Sequence, residues 1–198
     1  MLKCFVILVL VAGCQSFPKP RDEVYQFPFM SRQAWGARPP VAERPLATPV
    51  PFVIIHHSYQ PGACFTTEQC VRAMKIMQDV HQLHQGWDDI GYNFAVGSDG
   101  VVYEGRGWKN IGAHALGYNP DSIGIVLIGD WISEVPPANQ LDAAQKLIAL
   151  GVELGYISQD YVLMGHRQAG PTECPGEALF QEISSWDRFL LQKSSLTT

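Results

Sequence analysis

Charge is scarce in this chain of 198 residues. Asp, Glu, Lys and Arg together make up 17%, and the 14 basic residues form no cluster. Against 19 acidic residues they leave a net charge of −5. That excludes the basic footprint of nucleic-acid and anionic-membrane binders, so no nucleic-acid partner is expected. The five cysteines include no CxxC pair, which excludes a zinc knuckle. No Asn-x-Ser/Thr sequon occurs, so N-glycosylation is not expected. Internal repeats, low-complexity runs and signs of a second domain are also missing. The apolar run at the start, Cys4 to Ala12, is too short to cross a bilayer, and no membrane span is expected. What remains is a composition of 46% hydrophobic residues, which fits one compact domain able to bury about 70% of its unfolded surface.

Residues 1–16 combine Lys3, that apolar run and the small residues Gly13 and Ser16, the pattern of a secretory signal peptide. Cleavage after Gly13 or Ser16 removes Lys3 and no acidic residue, so the mature charge moves from −5 to −6. Val11-Ala12-Gly13-Cys14 also matches a bacterial lipoprotein box, an alternative that would leave Cys14 lipidated. A polar, proline-bearing arm is expected over 17–29, the domain over 30–192 and a short tail over 193–198. A secreted, extracellular protein has its cysteines in an oxidising compartment, where Cys64 and Cys70 should pair. Closing so small a loop contributes about 2–2.5 kcal/mol. Cys174 is then the odd thiol, and a metal would give it a reason to be there.

Arg38 to Pro51 holds five prolines and reads as an extended connector. Val53-Ile54-Ile55-His56 reads as a buried strand that delivers His56 at its end. Thr66 and Gln69 make a capping box for a helix with Val71, Met74, Met77, Val80 and Leu83 on one stripe, ending near Gly86. Tyr92–Val96 and Val101–Glu104 flank Gly97-Ser98-Asp99-Gly100, a hairpin turn. Ile123–Ile128 is a second buried strand. A helix should follow Pro137 with Leu141, Ala144, Ile148 and Val152 inward. Val162–Met164 is a short strand ending at Gly165-His166, and a last helix covers Glu177 to Leu191. Strands interleaved with helices around one sheet make a single α/β domain.

His56 and His166 thus stand at the ends of two buried strands, and Cys174 lies eight residues after His166 in GHRQAGPTECPG. Two imidazoles and one thiolate leave one tetrahedral position open, as a catalytic Zn²⁺ requires. An alternative makes Cys174 a nucleophile with His166 as its base, which needs no metal. His57 faces away from His56 if the strand continues, so one of the two should ligate the metal. His81 and His84 share a helix face, where a solvated face or a packed His81 outweighs a second metal site.

These residues sit in blocks that resemble one family. SRQAWGARPP, FVIIHHS, GWDDIGYNFAVGSDGVVYEGRGW, IGAH, SIGIVLIGDW and GHRQAGPTECPG are similar, in that order, to amidase-type peptidoglycan recognition proteins, closest to the secreted insect LB type. The resemblance covers about residues 28–190. It implies a central mixed β-sheet flanked by three main helices, with zinc held by His56, His166 and Cys174. It also implies N-acetylmuramoyl-L-alanine amidase activity on the bond between muramic acid and the stem peptide. Tyr92 is the implied oxyanion donor. Thr172 is the second implied catalytic residue, where phage relatives carry lysine, and its hydroxyl is a weak general base. His57, Arg106, Gly107, Trp108 and His114 are the candidate substrate contacts. Gly107-Trp108 resembles members that prefer diaminopimelate-type stems, with Arg106 as the carboxylate partner. Peptidoglycan and muropeptides are the implied partners of a monomer that damps immune signalling by scavenging. The competing role is a non-catalytic peptidoglycan receptor; such members typically lack the metal cysteine.

Overall fold

A computed structural model describes residues 25–191 of the chain. The expected signal peptide, most of the arm and the tail lie outside the described residues. Six strands form one sheet: β1 (Phe29–Met30), β2 (Val50–His57), β3 (Phe94–Val96), β4 (Val102–Glu104), β5 (Ser122–Leu127) and β6 (Ile157–Gly165). Their spatial order is β1-β4-β3-β5-β2-β6. All neighbours run parallel except the β3–β4 hairpin, so the sheet is mixed, as the resemblance implies. The helices are α1 (Arg32–Trp35), α2 (Thr67–Asp79), α3 (Ala138–Glu153), α4 (His166–Ala169) and α5 (Glu177–Ile183). Three of them, α2, α3 and α5, supply the main flanking layers.

Alternation along the central strands assigns the two faces. On one face Val53, Ile55, Phe94, Ile123, Ile125 and Leu127 pack against α3 and α5, forming the larger apolar core. On the other, Ala95, Val126 and Ile128 pack against α2. Each fully buried Ile or Leu contributes about 1.5–3 kcal/mol. Pro51 has no N–H to donate, and the β2–β6 register shifts between Val50 and Phe52, on either side of it.

The start of α2 is capped as expected by Thr66, whose hydroxyl accepts from the Gln69 amide at 3.3 Å. The Gln69 side chain accepts from Phe65 N, one residue before the cap. Cys64 and Cys70 form the expected disulfide, with Cα atoms 5.1 Å apart. Two helix expectations need correction. The stripe through Val80 and Leu83 is not buried: both are exposed. Residues Val80–His84 form a π-helical turn, which breaks the 3.6-residue period and turns them outward. The last helix also stops at Ile183 instead of reaching Leu191. Ser184 and Ser185 hydrogen-bond back to the Gln181 and Glu182 carbonyls and compete with the helix.

Candidate metal centre and its cleft

β2 and β6 pair in parallel, with Ile55 beside Gly165. Their carboxyl ends therefore lie together, and His56 and His166 meet there with ring centroids 4.4 Å apart. Cys174 comes back to the same point on the loop between α4 and α5. Its sulfur lies 3.7 Å from His56 Nδ1 and accepts from the His57 amide at 3.4 Å. One ligand atom from each of His56, His166 and Cys174 falls within 4.8 Å of the others. The expected trio is therefore one cluster.

The chemistry of the donors fits a soft divalent cation. Burial holds His56 and His166 well toward their neutral, ligating form. The far nitrogen of His56, Nε2, lies 3.1 Å from His114 Nδ1, the outer partner that fixes a ligating imidazole. Burial also raises the Cys174 thiol to about 12, against smaller opposing effects of the His57 amide and Arg167. A thiol so placed stays protonated near neutral pH, unlike a cysteine nucleophile, which needs a depressed pKa. A metal cation is what would make it a thiolate.

Tyr92 stands over the cluster, its ring centroid 5.3 Å from that of His56. Burial, then the neighbouring Cys174, push its phenol far above the usual range, so it remains a hydrogen-bond donor. It precedes β3 instead of opening it. Asn93 sets this entry: its side-chain amide donates to Gly107 and Asn110 and accepts from Gly124 N. The Thr172 hydroxyl accepts from Cys174 N at 3.2 Å, so it also shapes the loop that carries the ligand.

The candidate substrate residues divide. His57 is buried at 8% exposure and does face away from His56; its Nδ1 accepts from Trp131 N. It belongs to the packed face and is not open to the cleft. His114 is equally buried, wedged between His56 and Ser122. Gly124 makes room for it, since a Cβ there would lie 2.3 Å from the His114 ring. A glycine inside a buried strand marks such a close approach. Trp108 is a core residue, 7% exposed, stacked on Tyr156 and packed against Phe94. With Arg106 and Gly107 it borders a cavity of about 560 Å³ that includes Tyr25 and Phe29 but none of the metal cluster. Arg106 donates to the carbonyls of Ile90, Ile111 and Asp89 and forms no ion pair among the described residues. Burial is the main cause that lowers His114 and His81, and the Arg106 charge adds to it, after that of His166 in the case of His114.

Sequence reasoning missed a tryptophan that is linked to Tyr92 through His81. Trp87 is 37% exposed and stacks on His81 at 4.8 Å. His81 in turn meets Tyr92 edge-on at 5.7 Å and accepts from Gly91 N. The packed reading of His81 therefore holds, and His84 is turned to solvent. The signal was the Gly-Trp pair at Gly86-Trp87, just beyond the π-helical turn.

A sequence profile of the N-acetylmuramoyl-L-alanine amidase family matches residues 46–177. The chain is 55% identical over 168 residues to peptidoglycan-recognition protein LB of Drosophila melanogaster, covering 85% of this chain and 72% of that protein. The chain belongs to the peptidoglycan recognition protein family, amidase type. Its fold agrees with a Drosophila PGRP-LB variant solved in complex with tracheal cytotoxin, at a TM-score of 0.82 and 55% identity. That match covers 82% of this chain and 96% of the other. Peptidoglycan recognition protein LE, solved with the same diaminopimelic acid-type ligand, matches at a TM-score of 0.80 and 44% identity, covering 82% and 95%. A pig (Sus scrofa) N-acetylmuramoyl-L-alanine amidase is 45% identical over 161 residues, 80% of this chain but 27% of that longer relative.

Proposed function

We propose that this protein is an exported zinc amidase that cleaves the bond between N-acetylmuramic acid and L-alanine in peptidoglycan. The observation that carries the reading is the His56–His166–Cys174 cluster beneath Tyr92, in a chain of this amidase family. His56, His166 and Cys174 would hold the Zn²⁺. Bound there, the metal supplies a Lewis acid for the scissile carbonyl and lowers the pKa of water towards 7.

The chain's own groups do the rest. Tyr92 keeps its proton and donates to the oxygen on which negative charge develops, a role worth about 3–4 kcal/mol. His114 fixes the orientation of His56, and Gly124 gives it the room to do so. Thr172 holds the Cys174 loop and offers a hydroxyl at the edge of the site. Trp87, stacked on His81, which in turn meets Tyr92, provides an exposed aromatic wall. Arg106, held by neutral carbonyls, keeps a positive charge for a stem-peptide carboxylate. That supports a diaminopimelate-type stem, as do the tracheal cytotoxin complexes of two relatives. The disulfide supports an oxidising, extracellular location, and removal of an eliciting muropeptide is the biological role that follows.

The test is release of stem peptide from purified peptidoglycan by wild type and Cys174→Ser, each with and without a chelator and added Zn²⁺. Zinc-restorable release by wild type and none by the variant is the expected result. Binding without release by zinc-loaded wild type would make this a receptor and overturn the reading.

A further inference from the structure

Two of the three ligands are fixed by the sheet; the third is not. Cys174 sits in a loop whose neighbours Pro171, Thr172 and Glu173 are all exposed, and such loops move unless tied. Besides the bonds from His57 N and to the Thr172 hydroxyl, one residue supplies three ties, one through its backbone and two through its side chain. The Arg167 amide donates to Cys174 O at 2.8 Å. Its guanidinium donates through Nη2 to Glu173 O at 2.7 Å and through Nη1 to Glu177 Oε2 at 2.6 Å. The same group lies 4.6 Å over the Phe180 ring, and its Nε is buried without a hydrogen-bond partner among the described residues.

We propose that Arg167 is a positioning residue that holds Cys174 in register for the metal, tying α4, the ligand loop and the start of α5 together. This rests on the metal reading above. Only a planar fork can serve two acceptors in different elements while its face lies on an aromatic ring; a lysine ammonium would serve one. The ion pair itself adds little to global stability, because Glu177 is 56% exposed at its side chain. The other bond, to the Glu173 carbonyl next to the ligand, shows where the order is delivered. Arg167 follows the ligand His166 directly, so the same two residues join one ligand to the other's loop.

The experiment is zinc affinity of metal-stripped protein, read by competition with a chromogenic chelator, alongside the melting temperature of the same metal-free samples. Arg167→Lys and Arg167→Gln should weaken zinc binding by about 10–100-fold, the range of outer partners of metal ligands. Their metal-free melting temperatures should stay within about 4 °C of wild type, roughly the shift from a single modest contact in a chain of this size. Glu177→Gln, at an exposed position that does not threaten folding, should weaken zinc binding less but in the same direction. Unchanged zinc affinity in all three overturns the proposal, as does a metal-free melting temperature that falls by more than that margin with no change in affinity. No substrate is used, so failure of amidase activity does not touch the result. A wild type that takes up no zinc would defeat the metal reading and this inference together.

Discussion

His56 and His57 are neighbours on one strand, both buried, and they do opposite work. His56 points to the cleft face with Nδ1 toward the Cys174 sulfur and Nε2 on His114. His57 points to the packed face, where Nδ1 takes the Trp131 amide proton and the Asp130 carboxylate lies 4.0 Å away. Burial does not separate the proposed ligand from the core histidine, since their exposures are 1% and 8%. What separates them is which nitrogen the surroundings leave for a metal. Both faces of the sheet carry apolar cores; the polar cluster of His56, His166 and Cys174 gathers only at the carboxyl ends of β2 and β6.

The largest effect that sharpens this contrast is expected from Tyr92→Phe. Removing the hydroxyl should lower kcat by about 100–1,000-fold while zinc content and melting temperature stay near wild type. A large loss of stability with kcat intact would put Tyr92 with the packed face. The two tryptophans give the next test. Trp108→Ala empties a core site and should cost about 3–5 kcal/mol in denaturant unfolding. Trp87→Ala should leave unfolding within about 0.5 kcal/mol, as an exposed substitution does, yet raise KM for muropeptides. Equal stability losses would erase the distinction between cleft wall and core.

The smallest effect expected is on pH. Burial lowers His81 from 6.5 to about 4 and His114 from 6.5 to about 3. The unfolded chain then binds more protons than the native one between those values, so stability rises with pH there. Melting temperature of the metal-free protein should be flat above about pH 6.5 and fall as the pH drops toward 4. A melting temperature that climbs on acidification would contradict the neutral, buried state of the cleft histidines.

The legible parts of the molecule were those fixed by residue type and local pattern. β-branched runs marked β2 and β5, Thr66 marked the start of α2, and cysteine pairing marked the disulfide. The clustering of His56, His166 and Cys174 was readable because two histidines at strand ends and one unpaired cysteine point to a shared site. The unreadable parts depended on distant packing. Trp87 and Trp108 each follow a glycine, and that pair alone does not tell them apart: only the packing shows that Trp108 is stacked on Tyr156 and Trp87 on His81. The exposure of Val80 and Leu83 came from a π turn that a 3.6-residue template does not contain. The place of His114 beside His56 was not readable, because it depends on Gly112 and Gly124, far enough apart that neither signals it alone.

The most direct test of the account is a zinc titration of metal-stripped wild type, His56→Ala and His57→Ala. One equivalent of tightly bound zinc in wild type and His57→Ala, with none in His56→Ala, is the predicted result. Zinc retained by His56→Ala and lost by His57→Ala would contradict it, and would put the metal on the other face of the sheet.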